Sequence, residues 1–141
     1  MSGAGAYGNP GNVATEVEIV RAIYAAFAQR DASGMGRYLA EDVVLHLQGT
    51  SQRSGRNAPY VGHAGVLEYF ADVDRVWDEL ALHADDIRAI AGSVVVFGHV
   101  SGRVDGHLVT RRVVWTWLVR DGRAISVRAD DLGPGESPEP A

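Results

Sequence analysis

Histidines and carboxylates must carry any acid–base chemistry in this 141-residue chain, because it contains no cysteine. His46 stands at the end of a predicted strand, immediately before a polar loop. Imidazole has an ordinary pKa of about 6.5, so this side chain could give or take a proton near neutral pH. Neighbouring residues of a strand point to opposite faces, so His46 and Leu47 lie on different sides of the sheet, and a bulge would exchange them. His46 is therefore a candidate general base with two open orientations.

Two adjacent carboxylates, Asp130 and Asp131, close the last predicted strand. Alternation along a strand places them on opposite faces, and a bulge of one residue would exchange them. A carboxylate beside an imidazole orients the ring and stabilises its cation. Either aspartate could serve a histidine in this way; the alternative is a strand-end carboxylate that only pairs with Arg128 or Arg112.

No metal or cofactor site is predicted. His83, Asp85 and Asp86 are close in sequence, but a strand sends neighbouring side chains to opposite faces. His63 and His107 lie at the ends of loops. The lack of cysteine also excludes disulfides, thiolate metal ligands and thiol nucleophiles.

The charge balance argues against a nucleic-acid partner. The chain has 13 basic and 18 acidic residues, a formal charge of −5, and no cluster of like charge. No apolar run approaches the roughly 18 residues of a membrane helix, and the N-terminus lacks the pattern of a signal peptide. We therefore expect a cytoplasmic protein with no membrane partner. Every basic residue is arginine, which is typical of a GC-rich bacterial genome.

One domain is predicted over residues 15–132. The flanking segments 1–14 and 133–141 are rich in glycine, proline and polar residues, which predicts disordered tails.

The first half of the domain reads as helix, helix, strand. Thr15 and Glu18 form a capping box, and apolar residues then recur every three to four positions, which predicts an amphipathic helix. A short helix over 33–39 and a strand over 42–47 follow. Residues 49–62 are polar and rich in turn formers, so we predict a long loop that could cover a pocket.

The second half reads as one helix, over 63–80, followed by strands. Four segments rich in Val, Ile, Trp and Thr are predicted as strands: 81–91, 93–104, 108–120 and 123–131. Asp105-Gly106 and Asp121-Gly122 separate the last three, which predicts an antiparallel meander. Because helices and strands do not alternate, a parallel sheet is excluded and an α+β fold is expected.

This order of elements, with TEVEIVRAIYAAFAQRD, YLAEDVVLHL, YVGHAGVLEYF and DGRAISVRADDL, resembles the nuclear transport factor two-like superfamily. Within it the chain is most similar to SnoaL-like polyketide cyclases and ketosteroid isomerases, over roughly 15–132. The resemblance implies a cystatin-like cone, in which a curved, mostly antiparallel sheet wraps around three helices and encloses an apolar pocket. It also implies a homodimer through the outer sheet face, which would leave Val114, Thr116 and Leu118 exposed in a monomer.

The resemblance further implies which side chains face the pocket. On the last three strands the inward residues would be Phe97, His99, Ser101, Val113, Trp115, Trp117, Ile125, Val127, Ala129 and Asp131. Tyr24, Tyr69 and Phe70 would complete the lining from the helices. The flat aromatic surfaces suit a cyclic ligand, although such residues are just as often core.

Tyr24 resembles the tyrosine with which ketosteroid isomerases donate a hydrogen bond to the developing oxyanion. The family's general-base position falls at His46-Leu47-Gln48, and its second oxyanion donor falls at Trp115, so two of three catalytic positions depart. Asp131 lies near the acid–base aspartate of SnoaL-like cyclases, with Asp130 beside it.

His99 is inward in the phase that the resemblance implies, beside Phe97 and facing Trp115. An apolar wall would favour its neutral form, which can accept a proton. The alternative is a buried histidine that is satisfied by Tyr24 or by a backbone carbonyl.

The sequence therefore predicts a small cofactor-independent enzyme of the isomerase or cyclase type, which binds an apolar cyclic carbonyl compound. The base would be His46 or His99, helped by Asp131 or Asp130, while Tyr24 holds the carbonyl oxygen. The alternative is a non-catalytic small-ligand-binding or dimerisation module of the same fold, since the family includes both and fold alone does not decide.

An epoxide-hydrolase-like enzyme is a less favoured alternative. It would need an arginine between two inward carboxylates. Arg103-Val104-Asp105 has the right residue types but lies close to a hairpin turn.

Overall fold

The amphipathic segment forms the long helix α1, Pro10–Ala28, which begins earlier than the capping box predicts. Val20, Ile23 and Phe27 recur at helical spacing and are each no more than 2% exposed. They bury one face of α1 against the sheet. Arg30, in the left-handed region at φ 53°, marks the end of the helix.

The protein is described here by a computed structural model of residues 10–134. Residues 10–14 of the predicted N-terminal tail belong to α1, and the last strand continues to Pro134. The rest of both predicted tails lies outside the described residues.

A short helix, α2 (Ala32–Gly36), leads into the first strand, β1 (Leu39–His46). The Asp31 carboxylate caps α2 by accepting a hydrogen bond from the Gly34 N–H at 2.9 Å. The third predicted helix is α4, Gly62–Val76, which turns Val66, Tyr69 and Val73 toward the core.

The predicted loop over 49–62 is partly ordered. It contains the helix α3 (Gln48–Ser54) and the short strand β2 (Tyr60–Val61), so the domain has four helices among its described residues rather than three. The residues of α3 are mostly polar and show no apolar periodicity, so the sequence pattern does not predict this helix. Contacts with other elements hold it in place.

The last four strands form the predicted antiparallel meander: β3 (Glu79–Ile90), β4 (Ser93–Val104), β5 (His107–Arg120) and β6 (Arg123–Pro134). At the β4–β5 and β5–β6 turns, Asp and Gly both have positive φ, as a two-residue hairpin turn requires.

The sheet is mostly antiparallel, as predicted, and contains one parallel pair of strands. The sheet order is β2-β1-β6-β5-β4-β3, and β1 pairs with β6 in parallel. The chain leaves β1 through α3 and α4 and crosses to the far edge at β3. The meander then brings the last strand back beside the first. A local sequence pattern carries no information about this closure.

The α+β prediction is confirmed: a curved, open six-stranded sheet packs against helices from the first half of the chain. The core lies between α1, α4 and the inner sheet face. None of the described helices is both long and apolar enough to cross a membrane.

Candidate functional site

A cavity of about 110 Å³, here called the outer cavity, lies between the inner sheet face and α3. Its apolar wall is formed by Leu80, Leu82, Val100, Val113 and Trp115. Its polar residues are Gln48, Thr50, Gln52, Arg53, Tyr69, Arg111 and Asp131. An apolar pocket with a few convergent polar groups is the usual form of a small-molecule site.

Arg111 and Asp131 form the strongest polar contact of the outer cavity. The Arg111 Nε and Nη2 atoms donate to the Asp131 carboxylate at 2.9 and 2.8 Å. Their side chains are 38% and 50% exposed, so the pair lies where the cavity opens to solvent. The Arg111 hydrogen bonds, with a further one from the Gly133 N–H, hold the pKa of Asp131 below its ordinary value. Asp131 is therefore ionised at neutral pH.

The helix α3 covers the outer cavity and is held by a tryptophan. The Trp77 Nε1–H donates to the Thr50 hydroxyl at 3.0 Å, and the Arg53 guanidinium lies 4.9 Å from the centre of the Trp77 ring. Arg53 also donates to the Gly49 carbonyl at 2.9 Å. These contacts fix Arg53 at the edge of the cavity.

A second set of contacts fixes the far end of α3 through Asp72, which is 5% exposed. Its carboxylate accepts hydrogen bonds from Tyr60 at 2.8 Å, Arg56 at 3.1 Å, Arg75 at 2.7 Å and Ser54 at 3.4 Å. Burial raises the pKa of Asp72, but the hydrogen bonds from Tyr60, Arg75 and Arg56 outweigh it and leave the pKa below its ordinary value. This network joins α3, β2 and α4.

A second, inner cavity of about 20 Å³ lies deeper in the cone and has room for about one water molecule. Tyr24 lines it, between Trp115 and Trp117, whose rings it meets edge-on at 5.4 and 5.9 Å. The Trp117 Nε1–H donates to the Tyr24 hydroxyl at 3.1 Å. Burial raises the pKa of Tyr24 well above its ordinary value. Tyr24 thus lies inside the cone as predicted, but in a different chamber from Asp131.

The inward phase predicted for β4 is wrong by one residue. Val94 and Val96 are fully buried, whereas Phe97 is 38% exposed on the outer face. A β-carbon at Gly98 would collide with the His83 carbonyl and lie 3.2 Å from the Trp115 ring. One at Gly102 would lie 2.8 Å from the Trp77 ring. The inner face of β4 therefore needs glycine where the two tryptophans pack.

Because of this phase, His99 points away from the cavities. Its Nδ1 is 2.8 Å from the Asp85 carboxylate, and its ring stacks on His83 at 4.2 Å. His83 in turn contacts the Ser101 hydroxyl at 2.9 Å. Among residues 10–134 no three His, Asp or Glu side chains are placed to hold a metal ion.

His46 and Asp130 also lie outside the cavities. β1 has no bulge at its end: Leu45 is fully buried, Leu47 lines both cavities and His46 is exposed. Asp130 accepts a hydrogen bond from Arg128 at 3.3 Å, while Asp131 faces inward. No histidine among the described residues lines either cavity.

The remaining predicted lining residues are mostly in place. Trp115 and Tyr69 line both cavities, and Trp117 and Val127 line the inner one. Phe70 packs against Phe27 at 5.5 Å between ring centres.

The epoxide-hydrolase-like arrangement is incomplete. Arg103 pairs with Glu79 at 3.7 Å rather than lying between two inward carboxylates.

Sequence reasoning missed Arg53 and Arg111. Arg111 precedes Val113, Trp115 and Trp117 by an even number of residues, so the alternation correctly assigned to β5 would have placed it inward. Arg53 gives no such signal, because the residue pattern of its segment predicts a loop.

Comparison with known proteins agrees with this architecture. Residues 20–127 match the SnoaL-like domain family. No protein of curated function matches the chain. Among solved structures, TerC, co-crystallised with polyporic acid, is 29% identical with a TM-score of 0.74, covering 83% of this chain and 91% of its own.

Two further structures are similar. A nuclear transport factor two-like protein of unknown function from Burkholderia pseudomallei is 25% identical, with a TM-score of 0.75 and coverage of 83% and 90%. A protein of cystatin-like fold from Xanthomonas campestris is 22% identical, with a TM-score of 0.73 and coverage of 84% and 92%. The family match spans most of the described domain, and the chain therefore belongs to the SnoaL-like domain family.

Proposed function

We propose that this protein binds a small cyclic carbonyl compound in the outer cavity and catalyses proton transfer with Asp131 as the base. The observation that carries this proposal is that Asp131 is the only carboxylate among the described residues lining the two cavities. Asp131 replaces the histidines expected in this role.

The proposed step moves one proton and one electron pair. The Asp131 carboxylate accepts a proton from the carbon next to the carbonyl, and the C–H electron pair moves toward the carbonyl oxygen to form an enolate. Asp131 then returns the proton to the ligand at the same or another carbon, so no co-reactant is needed. Return to another carbon is an isomerisation. If the enolate carbon instead attacks a second carbonyl within the ligand, a ring closes, the C=O π electrons move to oxygen, and the resulting alkoxide takes the proton back from Asp131.

Arg111 has a positioning role in this scheme. It keeps Asp131 ionised and aimed into the cavity, but its hydrogen bonds also make the carboxylate a weaker base. A ligand oxygen that shares the Arg111 N–H groups would weaken those bonds and raise the basicity of Asp131 at the moment of binding.

The size of the cavity favours a small ring. An apolar protein cavity of about 150 Å³ holds a benzene molecule, and the outer cavity has about 110 Å³ and an open mouth. A single ring therefore fills the pocket, and any further part of the ligand lies at the mouth. The crystallisation of the similar TerC with polyporic acid supports a small-molecule ligand.

Hydrogen–deuterium exchange tests the proposal. Cyclohexanone, cyclohex-2-enone and 2-tetralone are incubated with the protein in D₂O, and loss of the proton signal next to the carbonyl is followed by NMR. We expect at least one to exchange faster than in buffer, and Asp131→Asn to remove about 10²-fold or more of that acceleration. His99→Ala should keep it. Binding without exchange would leave a ligand-binding module, and exchange that survives in Asp131→Asn would remove Asp131 from the mechanism.

We also propose that two copies of the chain pair through their outer sheet faces. Val114 and Thr116 are half-buried there, and Phe97 and Leu118 are 38% and 40% exposed. Leu132, at 50% exposed, extends this apolar strip on β6. A second copy of the same strip would bury it.

A further inference from the structure

The outer cavity is positively charged in a negatively charged protein. The chain carries a formal charge of −5. Among the described residues that line the cavity, the charged ones are Arg53, Arg111 and Asp131, which together carry one net positive charge. A single unbalanced guanidinium in a partly enclosed pocket attracts an anion, because the low-dielectric walls weaken screening by solvent.

Arg53 is the cavity arginine without a direct ion pair, although its charge also acts on the Asp131 carboxylate at longer range. Among the described residues no carboxylate lies within 4.0 Å of its guanidinium, whereas Arg111 is bidentate with Asp131. One Arg53 N–H donates to Gly49. Arginine has five N–H donors, so most of its hydrogen-bonding capacity is free for a ligand.

Arg53 is also held in place before a ligand arrives. Its guanidinium lies over Trp77, and the Trp77 indole is fixed by Thr50 on the same helix. A donor that is already ordered loses less side-chain entropy on binding than a free surface arginine.

The apolar and charged parts of the cavity define the orientation of the ligand. Trp115 and Leu80 on the wall are 3% and 8% exposed, while Arg111 and Asp131 lie at the open mouth. A ring would therefore enter first and stack on the apolar wall. An anionic oxygen on that ring would stay at the mouth, beside Arg53.

We propose that the ligand of the outer cavity is an aromatic or unsaturated ring that bears an anionic oxygen group, a carboxylate or an acidic enol, which binds to Arg53 and the free edge of Arg111. This inference rests on the proposed use of the outer cavity as a ligand site and names the chemical class of that ligand.

A matched pair of one-ring probes tests it: benzoate, which is anionic, and benzamide, which has nearly the same shape and no charge. Binding is followed by ¹⁵N–¹H NMR of the indole groups of the three tryptophans. Trp77 and Trp115 line the outer cavity, so their signals report entry directly. We expect benzoate to bind about tenfold more tightly than benzamide, because its hydrogen bonds to arginine are charge-assisted.

Three variants test whether Arg53 causes the preference for benzoate over benzamide. Arg53→Gln should weaken benzoate binding about tenfold and leave benzamide within about twofold, whereas Arg53→Lys should keep most of the preference. Arg128→Gln, on the outer sheet face, is the matched control and should change neither affinity. The retained benzamide affinity shows that Arg53→Gln still folds and still forms the cavity.

Equal binding of both probes, or a benzoate preference that survives Arg53→Gln, would overturn the inference. Equal binding with shifts at Trp77 and Trp115 would still leave the cavity as the ligand site, so the proposed function would stand. Failure of both probes to bind would also overturn the inference, while the exchange experiment on neutral ketones would decide the proposed function separately.

Discussion

Arg111 and Asp131, on neighbouring strands, point into the same cavity and form a bidentate ion pair. Arg112 pairs with Gly133 and Val113 pairs with Asp131, with an irregularity between the two pairs. Arg111 and Val113 share the inner face of β5 by simple alternation, and Asp131 pairs with Val113, so Asp131 lies diagonally beside Arg111 and both of its carboxylate oxygens accept hydrogen bonds. The extra residue in β6, Leu132, lies beyond Asp131. The sheet thereby presents an ionised carboxylate at the mouth of an apolar pocket.

Loss of Arg111 should shift the pH dependence of exchange upward. The pKa of Asp131 lies below its ordinary value because Arg111 stabilises the carboxylate. The base form therefore persists to lower pH in the native protein than in Arg111→Leu. Exchange rates measured from pH 3 to 7 should fall at a higher pH in the variant than in the native protein. Arg128→Gln is the control, and an unchanged acid limb in Arg111→Leu would contradict the assigned coupling.

Gly98→Ala should destabilise the fold by about 1–3 kcal/mol. The new β-carbon would collide with the His83 carbonyl and press on the Trp115 ring. Gly49→Ala is a matched glycine control, because a β-carbon there meets nothing within 4 Å in the helix α3. Urea denaturation should find Gly49→Ala unchanged or stabilised by up to about 1 kcal/mol. Equal stability of the two variants would contradict the close packing of β4.

Asp72→Asn should lower the free energy of unfolding by about 1–3 kcal/mol, since it removes a buried charge from several hydrogen bonds. The folded-state pKa of Asp72 is depressed, so its contribution is present above the unfolded-state pKa and is lost as the pH falls through the folded-state pKa. The stability difference between Asp72→Asn and the native protein should therefore shrink below about pH 4. A difference that stays constant down to pH 2 would show that the carboxylate charge is not what stabilises this network.

A charge on the outer sheet face should prevent pairing of two chains. Leu118→Asp places a carboxylate in the exposed apolar strip, whereas Leu67→Asp places one on α4, where Leu67 is 62% exposed. Light scattering at micromolar concentration should give the mass of two chains for the native protein and for Leu67→Asp, and that of one chain for Leu118→Asp. A native protein that is monomeric would refute the proposed dimer.

The order of elements followed from the sequence because its signals are local. Helical spacing marked α1 and α4, and the Asp-Gly turns marked the hairpins between β4, β5 and β6. The parallel pairing of β1 with β6 depends on how the whole meander folds back, which no local pattern records. The residues of α3 are mostly polar and lack helical periodicity, so the sequence pattern does not predict this helix. Contacts with Trp77 and Asp72 hold it in place instead.

The candidate site was only partly predictable. Trp115, Trp117 and Asp131 were placed inward correctly, because simple alternation holds over their segments. On β4 the phase taken from the family resemblance failed. The register of β4 with β3 shifts beside Asp85. Two of the inward positions on β4 are glycines, Gly98 and Gly102, which have no side chain to indicate that they face the core. Because of this one-residue error, the prediction has His99 and Phe97 lining a cavity that neither residue lines.

Asp131 is the group that we propose moves the proton, and its neighbour Asp130 provides the closest control. The two aspartates are adjacent in sequence and lie on opposite faces of β6. The most direct measurement is the ketone exchange rate in D₂O for Asp131→Asn and Asp130→Asn, side by side. We expect Asp131→Asn to lose about 10²-fold or more of the acceleration and Asp130→Asn to keep it. Equal rates in the two variants would contradict the account.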